Sequence, residues 1–208
     1  RMMMKLVYYP EQQRKTFCNG HIFIGTAVPI SSKQNDRYVK DYSLPYHIII
    51  DGNIFIDDFE KKILETNYGN ENLINDYDYM PFLFDYYKND FINHITGLFN
   101  IFIHNEQTVE NLLVNDRFGF LPLYYYDDAN HFLFSSKIES ILVSGFMSKI
   151  QFDEVTIAEH FFFNYPLSDN TYIKNIHTLP DASVLTFNRT LINTKQYWDV
   201  DELFDMPS

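Results

Sequence analysis

The sequence predicts an α+β fold with largely antiparallel sheets. Strand-like runs and helical segments come in blocks, as hairpins and a helix pair, and do not alternate strictly. The chain also carries 20 Phe and 16 Tyr among 208 residues. Two sheets face to face, with helices outside, would bury that many rings.

Residues 5–9 form a short apolar run that reads as a first strand, and the polar stretch 10–19 reads as a loop. Ile, Phe and Val crowd 21–30, the next strand. Residues 31–42 are charged and polar, which predicts an exposed loop. His47-Ile48-Ile49-Ile50 is strongly β-branched, Asp51-Gly52 ends it as a turn, and Ile54-Phe55-Ile56 follows. Asp57 suits a helix N-cap, with Phe59, Ile63 and Leu64 on one helical face. After a polar loop at 67–75, Tyr79, Phe82, Leu83 and Tyr86 keep the spacing of a second helix. Strands are expected at 98–104 and 109–115, turning through Asn105-Glu106-Gln107.

Leu112-Leu113-Val114 then enters Asp116-Arg117-Phe118-Gly119-Phe120-Leu121-Pro122, and a second strand-like run ends at Tyr126. Gly119 can adopt backbone conformations closed to other residues, and Pro122 fixes φ and removes a donor, so the stretch reads as strand–turn–strand. Asp127-Asp128-Ala129-Asn130 makes a hairpin turn before a strand at 131–134. Ser136, three residues before Glu139, fits a capping box opening a short helix. Asp153 caps a helix running to about Phe163, and 173–198 holds short strands with turns at Pro180-Asp181 and Asn188-Arg189.

A chain of this length makes one large domain or two small ones. Its net charge of -12, from 16 basic and 28 acidic residues, argues against nucleic acid or an anionic membrane as the main partner. The single cysteine, Cys18, allows no internal disulfide and suits a reducing compartment. The N-terminal apolar stretch is too short for a signal peptide, and no run approaches the ~20 residues that cross a bilayer. A soluble cytoplasmic protein is expected. The seven histidines show no metal-ligand spacing beside an acid cluster, no serine sits in a G-x-S-x-G setting, and no Walker-type loop occurs. Glu159-His160 reads as an exposed helix pair, and Phe161-Phe162-Phe163 as core or as a contact for a partner domain.

Several segments, in order, resemble the N-terminal glutaminase-like domain of the asparagine synthetase family, a class II glutamine amidotransferase. Asp51-Gly52-Asn53-Ile54-Phe55 stands where that family has N-G-E-I-Y, and Ile95-Thr96-Gly97-Leu98-Phe99-Asn100-Ile101 is similar to its L-x-G-M-F-A-F. Residues 116–125 follow its D-x-x-G-x-x-P-L-Y-Y, residues 134–142 its A-S-E-x-K-A-L, and Tyr197-Trp198 its exit toward a second domain. Tyr165-Pro166-Leu167 with Thr171, and then 176–180, resemble the segment before its last strands. Each piece is weak alone; the ordered set, from about His47 to Trp198, is specific. The resemblance implies the four-layer αββα sandwich of the N-terminal-nucleophile hydrolase fold. It makes 1–198 one glutamine amidotransferase type 2-like domain and 199–208 the start of a linker or tail.

The family's nucleophile is an N-terminal cysteine whose own α-amino group can serve as base. This chain begins Arg1-Met2-Met3-Met4, and a thioether cannot become a thiolate nucleophile, so glutamine hydrolysis is expected to be lost. Cys18 could serve only after cleavage behind Phe17. The family's oxyanion donor is the Asn of N-G-E; here that position is Asp51, which cannot donate when ionised, while Gly52 still offers a backbone N–H. The plain-turn reading of Asp51-Gly52 stands beside it. Asp78 matches the Asp of S-D-C-E that holds the glutamine ammonium, with Asp76 as the alternative register and helix capping as the competing role for either. No arginine lies between Arg14 and Arg37 to hold the glutamine carboxylate. Asp51, Gly52, Asn53 and Asp78 are therefore the candidate substrate-binding residues, with no metal and no catalytic residue other than Cys18 in the alternative.

The expected function is a degenerate glutaminase-like domain of an ATP-dependent amide ligase, as in β-lactam synthetases and lasso-peptide cyclases, acting as scaffold or docking surface for a synthetase domain or subunit. ATP and magnesium would belong to that synthetase part, whose S-G-G-x-D-S loop does not occur here. The alternatives are an active glutamine amidotransferase matured at Cys18, and a free-standing module on the same fold that binds glutamine, an amino acid or a peptide.

Overall fold

The structure is a computed structural model that describes residues 12–19, 22–29, 38–70, 73–128, 130–147, 149–188 and 191–204. The predicted strand at 5–9, Met2-Met3-Met4 and Arg189 lie outside the described residues. Two compact units form: Lys33–Leu121 with Asp181–Ser208, and Arg1–Ser32 with Pro122–Pro180.

The first unit is built on a six-stranded antiparallel sheet. Its strands are β3 (Tyr38–Val39), β4 (Tyr46–Phe55), β5 (Thr96–Asn105), β6 (Asn111–Asn115), β10 (Ser183–Phe187) and β11 (Ile192–Gln196). They lie in the order β11-β10-β6-β5-β4-β3. Alternation selects one face. Ile48, Ile50, Ile54, Phe99, Ile101, Ile103, Leu112 and Val114 join one buried cluster with Leu64 of α1 (Asp58–Tyr68) and Met80, Leu83 and Phe84 of α2 (Asp76–Tyr87). The opposite face is mixed: buried Phe102, Leu113 and Leu185 share it with buried His47, Asn100, His104, Asn111, Asn115 and Ser183.

Local chemistry sets the helix ends. Asp57 caps α1, accepting from Phe59 N at 2.8 Å, and Gly69 ends it in the left-handed region with φ 66°. Of the four positions whose spacing predicted α2, Tyr79, Phe82 and Leu83 are buried and Tyr86 is exposed; seven buried residues run from Tyr77 to Phe84, and a 3-10 helix, Lys88–His94, leads into β5. No helix among the described residues is long and apolar enough to cross a membrane.

The second unit contains the hairpin of β1 (Gln12–Asn19) and β2 (Ile22–Pro29) and a three-stranded sheet, β8-β7-β9. That sheet comprises β7 (Tyr124–Asp127), β8 (Phe132–Ser135) and β9 (Ile176–Thr178). Its core is Tyr126, Ile141, Ile173 and Ile176, below α3 (Ile138–Leu142). Asp153 caps α4 (Glu154–Phe163) through Val155 N and Thr156 N, both at 3.0 Å.

Four expectations need correction. The polar segment read as a loop at 10–19 contains β1, held by backbone pairing with β2 along its whole length. Tyr38 and Val39, inside the loop expected at 31–42, pair with Ile49 and Ile48 at the sheet edge. The capping box at Ser136 does not form: Lys137 is the N-cap residue of α3, with no side-chain cap. Phe161, Phe162 and Phe163 are not core; they are 81%, 82% and 51% exposed.

The turn after β6 is tied down by Asp116, which is 1% exposed. Its carboxylate accepts from Phe99 N at 3.3 Å and Phe118 N at 3.0 Å, and its backbone exchanges bonds with Phe99 O, Gly119 N and Ala182 N. Gly119 turns with φ +56°, and a Cβ there would sit 3.2 Å from Asp181 Cβ. The segment joins β6 of the six-stranded sheet to β7 of the three-stranded one; the two strands pair with other partners.

Asp116→Ala removes the acceptor of two backbone donors, and the expected loss of stability is about 1–3 kcal/mol, read as a lower urea midpoint at unchanged slope. Alkaline unfolding offers a second check. Burial and a hydrogen bond to Glu65 push the Tyr79 phenol up to about 12, and burial with Glu60 does the same for Tyr87. The native state therefore holds these protons where unfolded tyrosine, at about 10, releases them. Stability from the two phenols is complete below pH ~10 and lost as pH rises through about 12. Circular dichroism and phenolate absorbance should change together over that interval. Tyr79→Phe with Tyr87→Phe should flatten the stability loss.

Candidate functional site

Asp51-Gly52-Asn53 does not turn. The three residues lie inside β4, which pairs with β5 without a break from Tyr46↔Asn105 to Phe55↔Thr96. The Asp-Gly signal is real, but it is spent on a strand distortion. Gly52 has φ +102° and Gly97, on the facing strand, φ +134°. A Cβ at Gly52 would lie 2.1 Å from Leu98 O and 2.7 Å from Leu121 Cδ1; one at Gly97 would lie 2.2 Å from Asn53 O. Two residues without side chains let the backbones close on each other, so the ladder survives where a hairpin was expected.

The register places Asp51 opposite Asn100, Gly52 opposite Phe99 and Asn53 opposite Leu98. Asp51 and Asn100 share the face of the sheet opposite the Ile48–Ile101 cluster. Asn100 Nδ2 donates to Leu121 O at 3.0 Å, fastening the end of the 116–121 turn over this part of the ladder. An ionised Asp51 can only accept hydrogen bonds here.

The start of α2 meets the same strand. The Tyr77 hydroxyl, on a buried ring, lies 2.9 Å from Gly52 O and 3.2 Å from Asn53 Oδ1. Asn75 is the N-cap: its Oδ1 accepts from Tyr77 N at 3.1 Å and Asp78 N at 3.3 Å. Asp78 closes the box, its Oδ2 accepting from Ile74 N and Asn75 N, both at 3.2 Å. Its carboxylate thus serves the helix end. Asp76, one residue inside the cap, pairs with Lys61 Nζ at 2.7 Å, and that hydrogen bond raises the lysine's pKa.

Asp51, Gly52, Asn53 and Asp78 therefore gather in one unit, linked through Tyr77. Cys18 belongs to the other unit and lies within β1, opposite Phe23 of β2. Tyr77, Asn100 and Lys61 had escaped the sequence reading. A usable signal existed for Tyr77, a ring on the first turn of a helix whose hydroxyl needs a partner once buried. Asn100 and Lys61 carried none, because their roles depend on cross-strand register and on the approach of α1 to α2.

A cavity of about 500 Å³ at the far end of the β4–β5 ladder is lined by Phe55, Ile56, Asp57, Asp58, Glu60, Asn93, His94 and Thr96. Its acids have structural work. Asp57 caps α1, and Glu60 bonds His94 Nδ1 at 3.0 Å and the Tyr87 hydroxyl at 2.6 Å. Among the described residues no group of three or more His, Cys, Asp or Glu could hold a metal ion.

A family model described as a glutamine amidotransferase domain matches residues 39–198. Asparagine synthetase [glutamine-hydrolyzing] 3 of Bacillus subtilis (strain 168) is 26% identical over 157 residues, 75% of this chain and 25% of that protein. The chain thus spans about a quarter of that relative's length. The glutamine phosphoribosylpyrophosphate amidotransferase from B. subtilis, complexed with ADP and GMP, superposes with a TM-score of 0.53 at 12% identity, over 85% of this chain and 35% of that one. A second structure, described as the allosteric regulatory enzyme of purine biosynthesis, gives 0.50 at 11% identity over the same shares. These likenesses show the fold, an α+β arrangement of antiparallel sheets of the N-terminal-nucleophile hydrolase type.

Two substitutions at the head of α2 separate capping from ion pairing. Asp78→Ala is expected to cost about 0.5–2 kcal/mol through loss of the box. Asp76→Asn, which removes one partly exposed ion pair, should cost less than about 1 kcal/mol. Thermal melts of both variants check the order. Equal losses would mean that the box does not hold the helix.

Proposed function

The chain belongs to the glutamine amidotransferase domain family, and from that premise we propose that it is the glutaminase-like domain of an asparagine-synthetase-type amide ligase. In this reading it has given up glutamine hydrolysis and serves as a docking domain for the synthetase part, in the cytoplasm. The observation that carries the reading is Asp51. By resemblance it stands where the family has its oxyanion-donating Asn, and the Gly52–Gly97 close approach holds that stretch of β4 in the ladder. A carboxylate at that position opposes the negative charge of a tetrahedral intermediate. Loss of one such donor alone lowers turnover about 10²–10³-fold.

The α2 cap favours Asp76 over Asp78 as the counterpart of the Asp in S-D-C-E. Asn75 and Asp78 make a box with the spacing of that motif's first and last residues, which leaves Asp76 at its second position. The Lys61 ion pair then neutralises the group that would greet a glutamine ammonium. Maturation at Cys18 fits poorly, since cleavage there would strip residues 12–17 from the β1–β2 hairpin. Docking is supported by α4, on which Thr156 is the one buried residue while Phe161 and Phe162 stand in solvent.

A coupled glutamate assay on the purified chain tests the loss of hydrolysis. The expected result is no release from glutamine above that of an Asp51→Ala control. Sustained turnover in the parent chain that the control lacks would refute the reading, and an intact mass lacking the first 17 residues would move it to the Cys18 alternative.

A further inference from the structure

α4 carries its apolar stripe on the side away from its own unit. Its one buried residue is the polar Thr156. Val155, Ala158, Phe161 and Phe162 lie on the side turned from Thr156, at the i, i+3, i+6 and i+7 spacing of a helical seam, and all four are exposed. The rest of the helix is tied down. Asp153 caps it, the Tyr172 hydroxyl lies 2.9 Å from His160 Nδ1, and Glu159 Oε2 accepts from Leu167 N at 3.0 Å, which folds 165–167 back beside the helix. A contiguous apolar face on an otherwise anchored helix marks a contact surface.

Size and chemistry narrow the occupant. Covering Phe161 and Phe162 removes roughly 300 Å² of ring from water, at ~200 Å² per ring. With Val155, Tyr165 and Leu167, 69%, 60% and 55% exposed, the apolar area reaches about 600 Å², and a specific interface takes at least about 600 Å² from each partner. The seam carries no charged side chain, so it offers nothing to a partner selected by charge. It does fit itself. Two α4 helices crossing antiparallel at Ala158 meet at the smallest side chain of the seam, and Val155 of each then faces Phe161 and Phe162 of the other. Such a contact is isologous, as in the commonest oligomers, and sets the two helix dipoles antiparallel.

We propose that α4 is a self-association face, at which a second copy of this chain pairs its α4 against this one. The inference rests on the docking reading and names the partner at that face. Each copy keeps its own synthetase part, and α4 joins two such assemblies. With 28 acidic and 16 basic residues, two copies repel at long range, so this apolar contact tightens as salt screens the charge.

Sedimentation velocity of the 208-residue chain across the micromolar range is the test. The expected result is a reversible dimer whose dissociation constant falls as sodium chloride is raised. Phe161→Asp with Phe162→Asp should weaken dimerisation about thirtyfold or more, with an unchanged circular dichroism spectrum. Phe118→Asp with Phe120→Asp, which alters exposed rings of the other unit, should leave the dimer as it was. Ala158→Arg, which sets like charges against each other at the crossing, serves if the first variant fails to fold. A monomer at every concentration would overturn the proposal and leave the α4 face to the synthetase part. So would a dimer that the α4 variants keep, that salt weakens, or that the Phe118 and Phe120 control loses equally. Glutamate release is read separately, so a monomer without turnover strikes the self-pairing and leaves the loss of hydrolysis standing.

Discussion

The site rests on the contact between two backbones at Gly52 and Gly97. Both strands there adopt φ values that side chains resist, and each glycine leaves room for a carbonyl from the opposite strand. This lets β4 and β5 run as one ladder from end to end. A side chain at either position would force the strands apart and shift the ladder beyond it. The consequence is positional. Asp51 and Asn53 become strand residues with fixed neighbours, and α2 is tied to them through the Tyr77 hydroxyl. Whatever the site does, it does from rigid elements, and its chemistry depends on side-chain identity more than on loop motion.

A second tie acts on the same region from the other side. Asp116 is a buried carboxylate whose partners are backbone N–H groups. That arrangement satisfies an expensive group and shapes the 116–121 turn in one step. Leu121, at the end of the turn, then presses on Gly52 and accepts from Asn100. In its contacts the D-x-x-G stretch is structural. It holds the cover of the strand where the candidate residues lie, and Tyr197 reinforces it from the last strands by donating to Asn115 O at 2.8 Å.

The candidate site was legible to different depths. Asp51, Gly52 and Asn53 could be picked out by resemblance, and the choice between Asp76 and Asp78 could be posed but not resolved. Their geometry could not be read. Asp-Gly between β-branched runs has the local chemistry of a hairpin turn, and a positive φ at glycine serves a turn or a strand distortion equally well. What selects the distortion is Gly97, forty-five positions away. The capping box on α2 is local, and once the helix start is fixed at Asn75 the roles of Asp76 and Asp78 separate. Phe161-Phe162-Phe163 failed as core for a related reason: apolarity says that a residue favours burial, not that its own chain has a surface to offer.

The sequence by itself determined the α+β class, most strand positions, the caps at Asp57 and Asp153 and the family. These follow from short-range causes: β-branched runs, side chains that satisfy the backbone a few residues away, and ordered motifs. Tertiary structure alone decided that the polar segment from Gln12 is a strand, that β6 and β7 enter different sheets, and that Asp51 stands across the ladder from a buried Asn100. Each of these is set by the pairing register of distant segments. Register fixes which groups meet across a ladder, and a pattern read along one strand carries no record of its partner.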